Sequence, residues 1–145
     1  MGEKEEKREY DCSTTLIITG DELDPDEVTK SLGLIPNQAW KKNQKRMFPS
    51  GNEHIYKWGG WKLFIADEKR ELYLEEQLEH WYKLLKTKRK QLCYLANQGY
   101  WVRFDCYVST DATASICFDL NLQRKIIKLG VDLTFSIFSS EDDPD

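Results

Sequence analysis

The sequence predicts an α+β fold, in which a mixed or antiparallel sheet carries helices on one face, as in a ferredoxin-like or related sandwich. Two observations lead to this class. Segments with the two-residue alternation of strands take turns along the chain with segments of helical periodicity. A short, well-capped helix pattern near the N-terminal end also recurs near the C-terminal end, as expected of two related halves.

The first helix is predicted over residues 25–32. Asp24 can accept the free backbone N–H groups of the first turn, and Pro25 suits the first helical position, where a missing N–H is no loss. Gly33 supplies the left-handed conformation that ends a helix, and Pro36 prevents its continuation. This stretch carries a start signal and a stop signal but no recognisable chemistry.

A second helix is predicted over residues 122–129, because Asp24 and Gly33 recur at the same separation as Asn121 and Gly130. Asn and Asp are comparable N-caps, so the substitution keeps the capping chemistry. Equal spacing favours an internal duplication. Chance recurrence of common capping residues is the alternative.

The remaining elements follow from periodicity and turn residues. Strands are predicted over residues 13–19, 100–109, 114–120 and 131–137, with either a strand or a hairpin over 54–66. Residues 71–98 carry the longest helical pattern, in which either Lys88 snorkels or the helix bends near residues 86–89. Residues 42–53 are polar and contain a Pro-Ser-Gly-Asn cluster, which predicts a long mobile loop.

Length and composition predict one domain over residues 13–139, between a disordered charged N-terminus (1–12) and an acidic tail (140–145). Hydrophobic residues make up 40% of the chain, which favours a folded body. No stretch approaches the roughly 20 apolar residues of a membrane span. The charged N-terminus lacks an apolar signal region, so we expect a cytoplasmic protein.

The cysteines agree with a reducing compartment. Cys12, Cys93, Cys106 and Cys117 form no CxxC pair and have no histidines at zinc spacing, so buried, inert thiols are expected. A disulfide between Cys106 and Cys117 is the alternative, although the cytosol disfavours it.

Several segments together resemble a known family. The run LIITGDELDPDEVTKSLGLIPNQAWKK, the later GGWKL, the leucine-rich helix and the final KLGVDLTFSIF are similar to the bacterial family called domain of unknown function 4279, over roughly residues 14–138. Such sequences tend to carry a glycine soon after Trp40, where this chain has Asn43. The resemblance implies a small, soluble bacterial protein without assigned activity, and it supplies no catalytic residues.

Catalytic signals are scarce. The two histidines are His54 and His80, and Glu76 lies one helical turn before His80. That pair is either a solvated feature of the helix surface or a small acid–base site. The sequence has no HExxH, GxSxG, Walker or GxGxxG motif. We therefore expect no enzyme, metal or cofactor, and a triad dispersed along the chain is the alternative.

Charge and aromatic residues indicate where a partner would bind. A basic loop follows Trp40, and Trp58 lies beyond it, so these two tryptophans are candidates for surface anchors. The predicted interaction surface consists of Trp40, Lys41, Lys42, Lys45, Arg46 and Trp58. A second basic run occupies residues 83–90, and ordinary solvated surfaces are the alternative for both. Trp61 and Trp81 are expected in the core, and Trp101 could be buried or exposed.

These features predict a non-catalytic protein-interaction module, for example of immunity or antitoxin type, with an acidic protein partner. The alternative is a small-molecule binder or hydrolase with a pocket between sheet and helices. The net charge of −4 argues against a dedicated nucleic-acid binder. The sequence does not predict the oligomeric state.

Overall fold

The computed structural model describes residues 9–139, and the expectations for residues 1–8 and 140–145 lie outside this range. The chain runs β1 (Asp11–Gly20), α1 (Pro25–Leu32), β2 (Gln38–Trp40), β3 (Lys45–Met47), β4 (Glu53–Ile55), β5 (Gly59–Phe64), α2 (Leu74–Leu85), α3 (Arg89–Asn97), β6 (Trp101–Thr110), α4 (Leu120–Leu129) and β7 (Asp132–Ser139). Short 3-10 turns cover Asp67–Lys69 and Lys86–Lys88. The predicted α+β class is confirmed.

The main sheet has five strands in the order β2-β5-β1-β6-β7, and β3 and β4 form a separate two-stranded sheet. The central strand β1 is antiparallel to both β5 and β6, whereas β6 and β7 are parallel. Helix α4 makes the crossover between the two parallel strands, as parallel neighbours require. The sheet is therefore mixed.

The core lies between one face of this sheet and the helices. Val102, Phe104, Cys106 and Val108 alternate along β6 and are all buried, as the sequence predicts. Trp61 and Trp81 have almost no exposed surface, so their expected core positions are confirmed. The indole N–H of Trp61 donates to Thr29 Oγ1 at 3.0 Å, which satisfies its polar atom within the packing.

The two capped helices agree at their C-terminal ends and differ at their N-terminal ends. Gly33 and Gly130 both adopt left-handed φ values, of 66° and 71°. Asp24 caps α1 as predicted, but the cap of α4 is Asp119, whose Oδ1 accepts the Leu122 N–H at 2.8 Å. The predicted cap Asn121 is therefore wrong. The strand pairing around the two helices also differs, so the duplication stays a hypothesis.

One segment agrees with an expected alternative, and two segments differ from the sequence expectations. The long helix is broken into α2 and α3 by the 3-10 turn at Lys86–Lys88, within the predicted bend. Residues 42–53 are not one mobile loop, because they contain β3 and the start of β4. The strand predicted over 114–120 is wrong: residues 113–119 have no regular structure, and β7 occupies the place beside β6.

The first strand also begins earlier than expected. Strand β1 starts at Asp11, and Tyr10 is buried with its hydroxyl accepting the Leu74 N–H at 3.2 Å. Residues 10–12 thus belong to the domain. Over residues 9–139, no helix combines the length and apolar character needed to cross a membrane.

Candidate interaction surface

The segment after β2 forms a hairpin that stands apart from the main sheet. Strands β3 and β4 pair antiparallel, with Arg46 opposite His54 and Met47 opposite Glu53. The tip closes through two backbone bonds at 2.9 Å, from Phe48 N–H to Asn52 O and from Gly51 N–H to Phe48 O. Gly51 has a φ of 86°, which the tight tip requires.

The base of the hairpin is fixed by backbone bonds between its two arms. The Asn43 N–H donates to Tyr56 O at 2.7 Å, and the Tyr56 N–H donates to Gln44 O at 3.1 Å. Asn43 has a φ of 68°, a left-handed value that Asn tolerates better than most residues. Asn43 therefore supplies the left-handed backbone conformation that the base of the hairpin uses.

Trp40 supports the hairpin from within. It is only 9% exposed, so the expectation that it is a surface anchor is wrong. Its ring lies over Gly60, where any Cβ would overlap it, and its Nε1 donates to Trp58 O at 3.0 Å. The adjacent glycines Gly59 and Gly60 thus make room for neighbouring groups.

A row of rings extends from Trp40 to the hairpin tip. Tyr56 stacks on Trp40 with centroids 4.8 Å apart, and His54 meets Tyr56 edge-on at 4.8 Å. Phe48 follows at 6.4 Å from His54. Arg46 lies beside this row, with its guanidinium carbon 5.2 Å from the Phe48 centroid and its Nη1 3.4 Å from the Tyr56 hydroxyl. This face of the hairpin is aromatic and cationic.

The opposite face of the hairpin is apolar and basic. Lys45 pairs with Ile55 across the strands, and Met47 lies two residues further along the same face. Met47 and Ile55 are 62% and 50% exposed, and Trp58, just beyond β4, is 51% exposed. We call Lys45, Arg46, Met47, Phe48, Ile55 and Trp58 the hairpin surface. It exposes apolar side chains on both faces of a two-stranded sheet.

The predicted basic residues do not all remain available. Lys42 forms ion pairs with Asp21 at 3.0 Å and Glu22 at 3.3 Å. The hydrogen bond to Asp21 raises the pKa of Lys42, so the residue stays charged but already has acidic partners. Lys41, Lys45 and Arg46 are exposed. Of the sequence-predicted set, Lys45, Arg46 and Trp58 therefore lie on the hairpin surface.

Sequence reasoning missed Met47, Phe48 and Ile55. The signal was present, because these large apolar residues occur within an otherwise polar stretch bounded by a turn cluster. Three-residue strands are too short to show alternation, so the stretch resembled a loop.

The alternative site around His80 is a cleft of about 390 Å³ between α2 and β5. His80, Arg70 and Asn37 line it, and partial burial lowers the pKa of His80. Glu76 does not line the cleft; its Oε1 accepts the Tyr73 N–H at 3.2 Å at the start of α2. The two residues of the alternative acid–base pair therefore have separate roles.

Cysteine chemistry and metal binding are both constrained within the described residues. Cys12 and Cys106 are buried free thiols, whereas Cys93 and Cys117 are exposed, contrary to the expectation that all four are buried. In the same range, no three His, Cys, Asp or Glu side chains cluster so that they could hold a metal ion.

Fold and surface together define a small α+β domain with a projecting aromatic and basic hairpin. The chain belongs to the family described as domain of unknown function (DUF4279), whose model matches residues 9–140. No curated protein and no solved structure matches the chain significantly.

Proposed function

We propose that this protein is a non-catalytic protein-interaction module that binds an acidic partner protein through the hairpin surface. The observation that carries the proposal is the exposure of Met47, Ile55 and Trp58 beside Lys45, with Arg46 on the opposite face of the same hairpin, which is held in place from its base. Solvent-exposed apolar groups grouped in this way are typical of binding sites. Trp and Arg are also the residues that dominate binding energy at interfaces.

The preorganisation of the hairpin supports this proposal. An isolated two-stranded hairpin is at best marginally stable in water. Here Tyr56 stacks on the buried Trp40, and backbone bonds at Asn43 tie the two arms together. A partner would therefore bind a surface that is already formed, which lowers the entropic cost of association.

The charges of the hairpin surface favour an acidic partner. Lys45 and Arg46 are exposed cations next to apolar side chains, and such groups speed the encounter with an oppositely charged surface. A cytoplasmic site of action is part of the proposal, because exposed Cys93 and Cys117 suit a reducing compartment. A bacterial immunity or antitoxin-like protein is one concrete form of such a module.

The test is an affinity capture from the lysate of the native host with four immobilised proteins: wild type, Met47→Asp, the double variant Lys45→Glu/Arg46→Glu, and the control Lys30→Glu/Lys83→Glu. Lys30 and Lys83 are exposed and lie away from the hairpin, so the control changes the net charge equally. We expect Met47→Asp and the hairpin double variant to lose a protein that wild type and the control both retain. Circular dichroism checks that all four fold.

Raising the ionic strength above about 0.15 M should also release the captured protein, because salt screens the attraction between exposed charges. Retention of the same protein by both hairpin variants would contradict the proposal. Equal loss by the control would show that overall charge, and not the hairpin surface, controls binding.

A further inference from the structure

Strand β7 forms the edge of the main sheet opposite to β2. Within residues 9–139 it pairs with β6 on one side, and no strand covers its other side. It is eight residues long, and the seven from Leu133 to Ser139 include no charge and no proline. Natural proteins usually protect such an edge with charges, proline or a short strand. The opposite edge follows that rule, since β2 has three residues.

Strand β7 also carries apolar side chains that are partly exposed. The parallel register places Leu133, Phe135 and Ile137 beside Phe104, Cys106 and Val108, on the helix-bearing face. Phe135 is nevertheless 43% exposed and Ile137 70% exposed, so the helices do not extend far enough to cover them.

A groove of about 450 Å³ continues this apolar surface onto α4. It is lined by Phe118, Leu122, Gln123, Ile126, Ile127 and Leu133. Ile127 is also strongly exposed on the outer side of α4. The edge of the sheet thus offers backbone hydrogen-bonding groups and a continuous apolar strip to an added strand.

Residues 1–8 and 140–145, which flank the described range, have the wrong chemistry for this strip. Six of the eight residues from Met1 to Arg8 are charged, and residues 140–145 read SEDDPD. Charged segments do not replace apolar contacts, because burying an unpaired charge costs more than the contact returns. An uncharged strand with alternating large apolar residues is required, and β7 itself has that sequence.

We propose that β7 pairs with β7 of a second copy of this chain, antiparallel and across a two-fold axis. A two-fold interface brings the same patch of both copies together and closes on itself. A pairing centred on Phe135 places Leu133 opposite Ile137 of the second copy, so the two apolar strips meet. The result is one continuous ten-stranded sheet with both grooves on the same side.

The charges beyond β7 complement this arrangement. Antiparallel pairing brings the Ser139 end of one β7 to the start of the second copy's β7, next to the end of its α4. The sequence that follows Ser139 includes Glu141 and Asp142. Lys128 lies at that end of α4, and the Arg89 guanidinium Nε donates to the Lys128 carbonyl at 2.9 Å. A cleft of about 780 Å³ there is also lined by Lys86 and Lys90. The acidic sequence that follows β7 of one copy thus complements the basic residues at the α4 end of the other.

The test measures the mass of the full chain by sedimentation equilibrium over a dilution series. We expect a monomer–dimer equilibrium in wild type. Ile137→Lys places a charge opposite Leu133 of the second copy, within the apolar strip, and should raise the dimer dissociation constant roughly 100-fold. The matched control is Ile55→Lys on the hairpin, which changes an isoleucine of similar exposure and should leave the constant unchanged.

A charge exchange tests the pairing direction without altering the strand. Lys128→Glu alone and Glu141→Lys/Asp142→Lys alone should each weaken the dimer, and the combination should restore it. A monomeric wild type at every concentration would overturn the proposal. So would a dimer that is indifferent to Ile137→Lys, a dimer that Ile55→Lys dissociates, assembly beyond the dimer, or the absence of restoration by the combined charge exchange.

Discussion

At the scale of single residues, the most enclosed polar group joins the central strand to α2. Gln77 has no exposed surface, and its Oε1 accepts the Thr14 hydroxyl at 2.9 Å while its Nε2 donates to the Cys12 and Leu72 carbonyls at 3.2 and 3.1 Å. Thr14 also accepts the Trp81 indole N–H at 2.7 Å. Because every polar atom is satisfied, the group fixes how α2 sits on β1.

The Thr14→Val variant should therefore lose about 2 kcal/mol of unfolding free energy, because Trp81 Nε1 and Gln77 Oε1 would remain buried without this partner. Urea unfolding followed by circular dichroism measures the difference. Thr15→Val is the matched control, since Thr15 lies on the opposite, partly exposed face of the same strand. Thr14→Ser should keep most of the stability. Equal stability of Thr14→Val and wild type would show that the hydrogen bonds contribute nothing net.

Two residues near the hairpin show what sequence reasoning could and could not detect. The resemblance singled out Asn43 as standing in place of an expected glycine, and its φ of 68° shows a left-handed backbone there. That local expectation was therefore informative. The burial of Trp40 over Gly60 was not detectable, because β2 and β5 meet only in the folded sheet.

At the scale of elements, substitutions at the start of α4 can distinguish the observed cap, Asp119, from the predicted cap, Asn121. Asp119→Ala should cost about 1 kcal/mol, because the Leu122 N–H would lose its side-chain acceptor. Asn121→Ala should cost less than about 0.5 kcal/mol, since Asn121 is an exposed residue within the helix. Chemical denaturation of both variants gives the comparison. A larger loss for Asn121→Ala would contradict the cap assignment.

Elements with local signals were predictable, and those defined by distant pairing were not. Caps fixed the bounds of α1, and alternation identified β6 and β7. Alternation also predicted a strand over 114–120, where Ala114, Ile116 and Phe118 do pack against the core. Alternation reports one-sided burial, whereas a strand also needs a free neighbour to pair with. Here β7 already occupies the place beside β6.

The sequence predicted the region of the candidate interaction surface but not the role of each residue in it. Basic residues and tryptophans in one short stretch indicated the correct region, because exposed charge and large aromatic groups are visible in sequence. Their individual roles were not, since Trp40 supports the hairpin and Lys42 binds Asp21 and Glu22. Both roles depend on neighbours from other parts of the chain.

At the scale of the whole molecule, the two proposals combine into one architecture. In a dimer joined through β7, the two β2 edges lie at opposite ends of the sheet. Nine strand spacings separate them, or about 43 Å. Each end carries a hairpin surface, so a partner with two sites at that separation would bind both and gain avidity. The edge strand and the hairpin surface would then serve one bivalent assembly.

The reactivity of the four cysteines can show whether the sheet unfolds cooperatively. Cys12 and Cys106 lie on β1 and β6, the most extensively paired strands, and both are buried. Cys93 and Cys117 are exposed on α3 and on the segment before α4. Burial raises the pKa of the Cys106 thiol to about 12. At pH 8 this thiol is therefore protonated and a poor nucleophile, in addition to being inaccessible.

A thiol-reactive reagent at pH 8 should consequently label Cys93 and Cys117 at once, and Cys12 and Cys106 only as fast as the sheet opens. Central strands usually open only with global unfolding, so the slow labelling rate should rise in the Thr14→Val variant, in which the unfolding free energy falls. Mass spectrometry of peptides assigns each modified cysteine. The Cys93→Ser/Cys117→Ser variant is the control and should show the slow phase alone. Rapid modification of Cys106 in the native protein would show that β6 opens locally, without unfolding of the rest of the sheet.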